Sequence, residues 1–219
     1  MTEPDELTLA YLASRPADAA RVLERLEPEA VSGLLADVPV RLAVGPLAVM
    51  VPWRVARCLG AMATGHAAAV VEALPAEQAP DCLRAMPERA RAAILDALPL
   101  RRARALRRQL RYPVALVGAH MDPAPLALRG QATADEARAA VRAEGRPDAL
   151  QVHVLDDRGG PTGAVRLGEL LAAVGDRPLS TLMLRDCHPL AADLPVARVD
   201  HARDWTAWPE RPVIDGRGR

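Results

Sequence analysis

Proline punctuates the first half of the chain at nearly even steps. Pro16, Pro28, Pro39, Pro52, Pro75, Pro87 and Pro99 are separated by 12, 11, 13, 23, 12 and 12 residues. Thr64-Gly65 stands where the long step lacks its proline. Proline suits the first turn of a helix, because the N–H it lacks would have no partner there. Apolar residues then follow at helical spacing, as in Val70, Val71 and Leu74, and again in Ile94, Leu95 and Leu98. A two-turn helix is marginal alone, since nucleation is costly and few hydrogen bonds follow. Stacked on its neighbours, it buries its stripe. The pacing therefore predicts a superhelical stack of short helices with one helix per repeat. Pro80 falls inside such a run and predicts a kink or an early stop. Trp53, early in a repeat, is expected in the core.

The stack closes on LPLRRARALRRQLRYP, residues 98–113. Arg101, Arg102, Arg104, Arg107, Arg108 and Arg111 make it basic, and Leu100, Ala103, Leu106 and Leu110 form an apolar stripe. One reading is a contact for phosphate or anionic lipid. The other is a solvated face packed by its leucines, preferred here because no aromatic residue interleaves and the chain is neutral overall. Acids and bases balance at 28 each, and every basic residue is Arg. That balance gives no global field toward nucleic acid or membrane. Half of the 219 residues are apolar, so a packed core is expected rather than disorder. Cys58, Cys82 and Cys187 are distant and odd in number, which suggests neither a disulfide framework nor a zinc site and fits a reducing cytoplasm. The acidic start does not read as a signal peptide. The longest apolar run, from Leu42, is broken by Gly45, Pro46 and Pro52 and falls short of the ~20 residues of a spanning helix. No membrane insertion by this chain is expected.

Beyond Tyr112-Pro113 the pattern changes to α/β. PLALRG reads as a short extended piece. TADEARAAVRAEG reads as a helix, with Thr133 and Glu136 as a capping box and Gly145 as C-cap. Val152–Leu155 reads as a strand, the Asp156–Gly160 stretch as a turn, Gly163–Val165 as the return strand, and Leu167–Ala173 as a helix. The order is strand, helix, strand, strand, helix. The run V-x-V-x-D-D-x-G-G-x-x-G with its flanking elements, from Met121 to Met183, resembles a CBS domain. A weaker copy follows, in which Pro212-Val213-Ile214-Asp215-Gly216 matches the strand and turn of the first. Trp205 and Trp208, three apart, are expected on an apolar face of a last helix, a face for a partner or dimer to cover.

A proline-paced stack, then Arg111-Tyr112-Pro113, then paired CBS units, together resemble the cytosolic region of MgtE-type magnesium transporters. The resemblance implies an α plus α/β chain in three parts. These are an N-like helical stack over 1–112, a first CBS unit over 113–183, and an incomplete second CBS unit over 184–219. It implies a cytoplasmic regulatory module, not an enzyme, that pairs as a homodimer through its CBS units, serves a membrane transporter domain, and binds no nucleic acid. In that family Mg2+ is held by facing carboxylates whose repulsion the cation cancels. The acids that match are Glu77 and Asp81 in the stack, Asp156, Asp157 and Asp176 in the first CBS unit, and Asp193 in the second. The family's acidic cluster after the Arg-Tyr joint is replaced by Pro113, Val114, Ala115 and Leu116. CBS pairs also bind adenine nucleotides through a Gly-led motif, read here as Gly163 to Glu169. Arg166 replaces its hydroxyl and Glu169 its shorter acid, so nucleotide is the weaker expectation beside Mg2+. Each acid has a plainer reading as a turn or helix-start residue. The alternative for the whole chain is a protein-interaction or nucleotide-sensing scaffold without ion sensing.

Overall fold

The computed structural model describes residues 5–145, 149–185, 187–199, 208 and 210–218. The chain divides into two compact units, Met1–Leu110 and Arg111–Arg219. Expectations for Trp205 and for a helix around it lie outside the described residues.

In the first unit, the described residues form nine short helices: α1 Glu6–Ser14, α2 Pro16–Leu23, α3 Pro28–Leu35, α4 Val40–Leu47, α5 Pro52–Ala61, α6 Thr64–Ala73, α7 Gln78–Arg84, α8 Glu88–Ala97 and α9 Leu100–Leu110. Pro16, Pro28 and Pro52 are the first residues of their helices, and Pro39 and Pro87 are N-caps. The carbonyl of Pro75 accepts from the Gln78 and Ala79 amides at 3.1 Å each, so it nucleates α7 from one turn ahead. Pro80 therefore lies in the first turn of α7, where it neither kinks nor stops the helix.

The one-helix repeat is corrected by the packing. From α2 onward each helix rests on the one two places ahead: α2 on α4, α4 on α6, α6 on α8, and likewise α3, α5, α7 and α9, while α1 packs on α2 and α4. The structural unit is a pair of helices, with a period of 24 residues. Val31, Val55, Ala79 and Ala103 occupy equivalent places and are all buried, as are Leu23, Leu47, Val71 and Leu95. A polar clamp repeats at the same period. Arg54 Nη2 donates to the carbonyls of Glu24 and Leu26, which close the end of α2. Gln78 Nε2 donates to Leu47 and Met50 at 3.1 and 3.2 Å, at the end of α4. Arg102 Nη2 donates to Val71 and Leu74 at 3.5 and 3.2 Å, at the end of α6. Each clamp supplies the carbonyls that a helix C-terminus leaves without partners. Removing one, as in Gln78→Ala, is expected to cost about 1–3 kcal/mol in thermal or urea unfolding, because two part-buried carbonyls lose their donor.

Trp53 is corrected from core to surface. It is 55% exposed, with the Arg54 guanidinium 5.8 Å above its ring. The 24-residue register explains this. The apolar positions of α5 are taken by Val55, Ala56, Cys58 and Leu59, which turns Trp53 outward.

The second unit opens with a single 3-10 turn, Val117–Ala119, then β1 Ala127–Arg129, α10 Ala134–Glu144, β2 Gln151–Leu155, β3 Pro161–Arg166, α11 Leu167–Ala172, α12 Leu179–Leu182, β4 Leu184–Arg185, β5 Leu190–Ala191 and β6 Val213–Ile214. β1 runs parallel to β2, β2 antiparallel to β3, and β3 antiparallel to β4. The capping box of α10 is present, with Thr133 and Glu136 exchanging hydrogen bonds and Gly145 closing the helix at φ 59°. Val152, Val154, Val165, Leu170 and Leu179 form the core between sheet and helices. β5 and β6 pair in parallel as β1 and β2 do, which is the start of the second copy. The segment after Tyr112 joins this second sheet through the Val117 and Gly118 amides, which donate to Leu194 and Ala192.

Candidate functional site

In the helical unit, Glu77 is the N-cap of α7 and exposed, and Asp81 lies in its first turn. Asp81 is paired with Arg84 at 3.0 Å, three residues on. Glu77 makes no hydrogen bond or ion pair among the described residues.

In the second unit the acids fall in turns. Asp156 Oδ1 accepts from the amides of Gly160 at 2.8 Å and Arg158 at 2.9 Å. These bonds, the Gly160 amide foremost, hold its carboxyl below the ordinary value. Asp157 points to solvent, 3.5 Å from Arg129. Asp176, in the turn before α12, and Asp193, in the turn after β5, are exposed and unpaired among the described residues. No group of three or more His, Cys, Asp or Glu is placed to hold a metal among the described residues. The donors are all carboxylate oxygens, the right chemistry for Mg2+, which keeps several waters and takes one or two carboxylates. Within each unit they form no cage among the described residues.

Of the nucleotide motif, Gly163 has a structural reason. A Cβ there would lie 2.2 Å from the Leu184 carbonyl oxygen, so β3 and β4 approach only because the residue is glycine. Arg166 is the N-cap of α11 and Glu169 lies in its first turn, both exposed. A carboxylate at that end is favoured by the helix dipole.

The structure adds one feature that sequence reasoning passed over. Asp215 accepts from the Arg217 amide at 2.9 Å, and its carbonyl from Gly218, as Asp156 does with Arg158 and Gly159. Gly159 and Gly218 both have positive φ, 85° and 73°. The two turns face a common cleft of about 460 Å³ lined by Asp156, Asp157, Arg158, Gly160, Arg217 and Gly218. The signal was the repeated D-x-R-G of residues 156–159 and 215–218.

His153, on β2, is buried at 7% exposure, and its Nδ1 has no hydrogen-bond partner. Burial lowers its pKa and outweighs the attraction of Asp122. Glu210, 3.8 Å from Nε2, is too distant to hydrogen-bond. The folded state thus binds protons less readily than the unfolded chain, and stability contributed by neutral His153 falls as pH drops below about 6.5. Thermal midpoints are expected to decline from pH 7.5 to pH 5 by more in the native chain than in His153→Gln. Equal declines would show that the histidine is not the cause.

A stack of paired short helices followed by a β-α-β-β-α unit, and the start of a second, defines the class: a helical-repeat unit joined to CBS-type units. Residues 14–114 match the family model of the MgtE intracellular N domain, and the chain resembles the cytosolic region of MgtE-type magnesium transporters. No curated protein matches the sequence. The fold is shared with the cytosolic domain of the Mg2+ channel MgtE solved in complex with ATP, at 22% identity and a TM-score of 0.79, covering 97% of this chain and 88% of that one. The soluble part of a magnesium transporter is also similar, at 18% identity and a TM-score of 0.55, covering 95% and 78%. Among the described residues no helix is long and apolar enough to cross a membrane.

Proposed function

We propose that this chain is a cytoplasmic regulatory module of a magnesium transporter, non-catalytic, whose state is set by Mg2+ acting on its carboxylates. The fold shared with the cytosolic domain of an Mg2+ channel along nearly the whole chain supports this reading. The six acids divide by what already neutralises them. Asp81 and Asp157 have arginine partners, and Asp156 is spent on its own turn. Glu77, Asp176 and Asp193 are exposed carboxylates that a hydrated cation can reach, and they are the residues assigned to the ion. Gating follows if the ion binds one arrangement of the helical and CBS units better than another, since only differential affinity shifts a two-state equilibrium. The sheet unit is the surface assigned to a homodimer, since it exposes Leu171 and Val174 at 64% and 68%. Adenine nucleotide is a lesser ligand, with Gly163 occupied structurally and Arg166 and Glu169 left to meet it.

The test is calorimetry and limited proteolysis of the full chain with Mg2+ up to roughly the millimolar range of weak sites. Heat of binding and slower cleavage are expected, both reduced in a Glu77→Gln, Asp176→Asn, Asp193→Asn chain. Silence in both measurements would favour the scaffold without ion sensing, a reading already encouraged by the arginines on Asp81 and Asp157.

A further inference from the structure

The 24-residue register that lines up the buried places of the stack lines up exposed ones as well. Two residues ahead of Val31, Val55, Ala79 and Ala103 stand Glu29, Trp53, Glu77 and Arg101. The same offset from equivalent buried residues gives these four one direction, and all four are exposed. Arg101 is engaged within the chain. Glu29 and Glu77 make no hydrogen bond or ion pair among the described residues. Both suit the start of a helix, where the dipole favours an acid. Trp53 has no such reason. It is accompanied by Val49 and Val51, 56% and 45% exposed, in the turn that enters α5.

The fold does not require this apolar patch. Trp53 lies under the Arg54 guanidinium, but the clamp needs no aromatic neighbour, since Gln78 and Arg102 clamp with Glu77 and Arg101 before them. An exposed tryptophan beside two exposed valines marks a contact surface, and the charges around it state which contact. On one side, residues 24–29 carry three acids and one base. On the other side stands Glu77. Arg57, one turn further along α5, is in the next row, with Gly33 and Asp81 at the equivalent places. The row of Trp53 is therefore acidic on both flanks. α3, α5 and α7 are neighbours in one column. Packed helix axes lie about 8–10 Å apart, so the two glutamates are roughly 16–20 Å apart with Trp53 between them. An extended chain advances about 3.3 Å per residue and spans that distance in about six residues.

We propose that this row receives an extended, basic segment of a partner protein: one cation for Glu29, an apolar side chain on Trp53 and Val51, and a second cation for Glu77. Charge complementarity selects this occupant. A symmetric pairing of two copies through Trp53 would set glutamate against glutamate, and a phosphate-bearing surface would meet the same repulsion. Exposed ion pairs contribute little each, so the tryptophan carries most of the contact and the glutamates choose its partner. Glu77 is also the residue assigned to Mg2+, so the experiment leaves the ion out.

The experiment is titration of the full chain with the peptide RSSLSSR, without Mg2+, at about 0.01 M salt, where the screening length is ~30 Å. It is followed by nuclear magnetic resonance at the Trp53 indole N–H, which Trp53→Phe identifies. A saturable shift is expected, with QSSLSSQ bound about tenfold more weakly and ESSLSSE not bound. Glu29→Gln alone is expected to weaken RSSLSSR by about threefold, and with Glu77→Gln by about tenfold. Trp53→Ala, followed at the Val51 amide, is expected to weaken it by about thirtyfold. Melting temperatures equal to that of the native chain keep folding apart from lost contact, and the exposed Glu29→Gln supplies the test if Trp53→Ala melts early. Four results would overturn the proposal: no shift with RSSLSSR, equal binding of QSSLSSQ or ESSLSSE, equal binding by the double glutamine variant, or self-association of the chain that Trp53→Ala abolishes, which would give the face to a second copy. Failure of the peptide leaves the ion-sensing reading standing, and a chain silent to Mg2+ leaves the peptide result standing.

Discussion

Gly163→Ala is expected to lose the sheet unit's cooperative unfolding or to cost it at least about 3 kcal/mol. The added methyl would sit 2.2 Å from the Leu184 oxygen and 3.1 Å from Met183 Sδ. The sulfur can swing aside, but the oxygen belongs to the backbone of β4, so relief requires the strand to move. Moving it strains the pairing of Gly163 with Arg185 and Ala164 with Leu184. Overpacking usually costs about 1–3 kcal/mol, and more where backbone must give. Urea unfolding followed by circular dichroism, with the helical unit as an internal reference, would measure it. A variant as stable as the native chain would mean that β3 and β4 are farther apart than described.

Leu47→Ala is expected to destabilise the helical unit by about 2–5 kcal/mol. Leu47 is completely buried at the end of α4, in the middle of its column. Its neighbours α2 and α6 are held by their own columns and clamps, so the space left behind would close only in part, which places the cost above simple transfer. Its carbonyl is also one of the two that Gln78 holds, so a shift of the α4 end would disturb the clamp as well. Val22→Ala, at 52% exposure in the same unit, is expected to change stability by less than about 0.5 kcal/mol. Comparable effects at the two positions would contradict the assigned packing.

The sequence shows the helices of the first unit well because proline acts locally. A proline at or just before the first turn marks most of the helix starts, at Pro16, Pro28, Pro39, Pro52 and Pro87, with little regard to distant contacts. The pairing of helices was harder to read. Twelve is the spacing of starts, but the identity of buried positions repeats at 24, as in Leu23, Leu47, Val71 and Leu95. That longer period was written in the residues and was hidden by the stronger punctuation. Trp53 was misplaced for the same reason: without the longer register, its side of α5 looked inward. The capping box at Thr133 and the strand at Val152 are again local signals, and both were legible.

The site was less legible, because whether a carboxylate is free depends on partners distant in sequence or hidden in turn geometry. Asp157 meets Arg129, twenty-eight residues earlier, and Asp156 folds back on Gly160. Nothing in the acid itself distinguishes these two from Asp176 or Asp193. The clamps were equally opaque. An arginine that ends a helix three places earlier reads like any surface arginine, and only the separation of 24 between Arg54, Gln78 and Arg102 gives it away.

The alternation of columns limits how such a chain can change length. Excising one helix would hand every later segment to the wrong side, exposing its leucines and burying its charges, whereas excising two in succession would leave each survivor on its accustomed side. Insertions and deletions among related arrays should thus come in even numbers of helices.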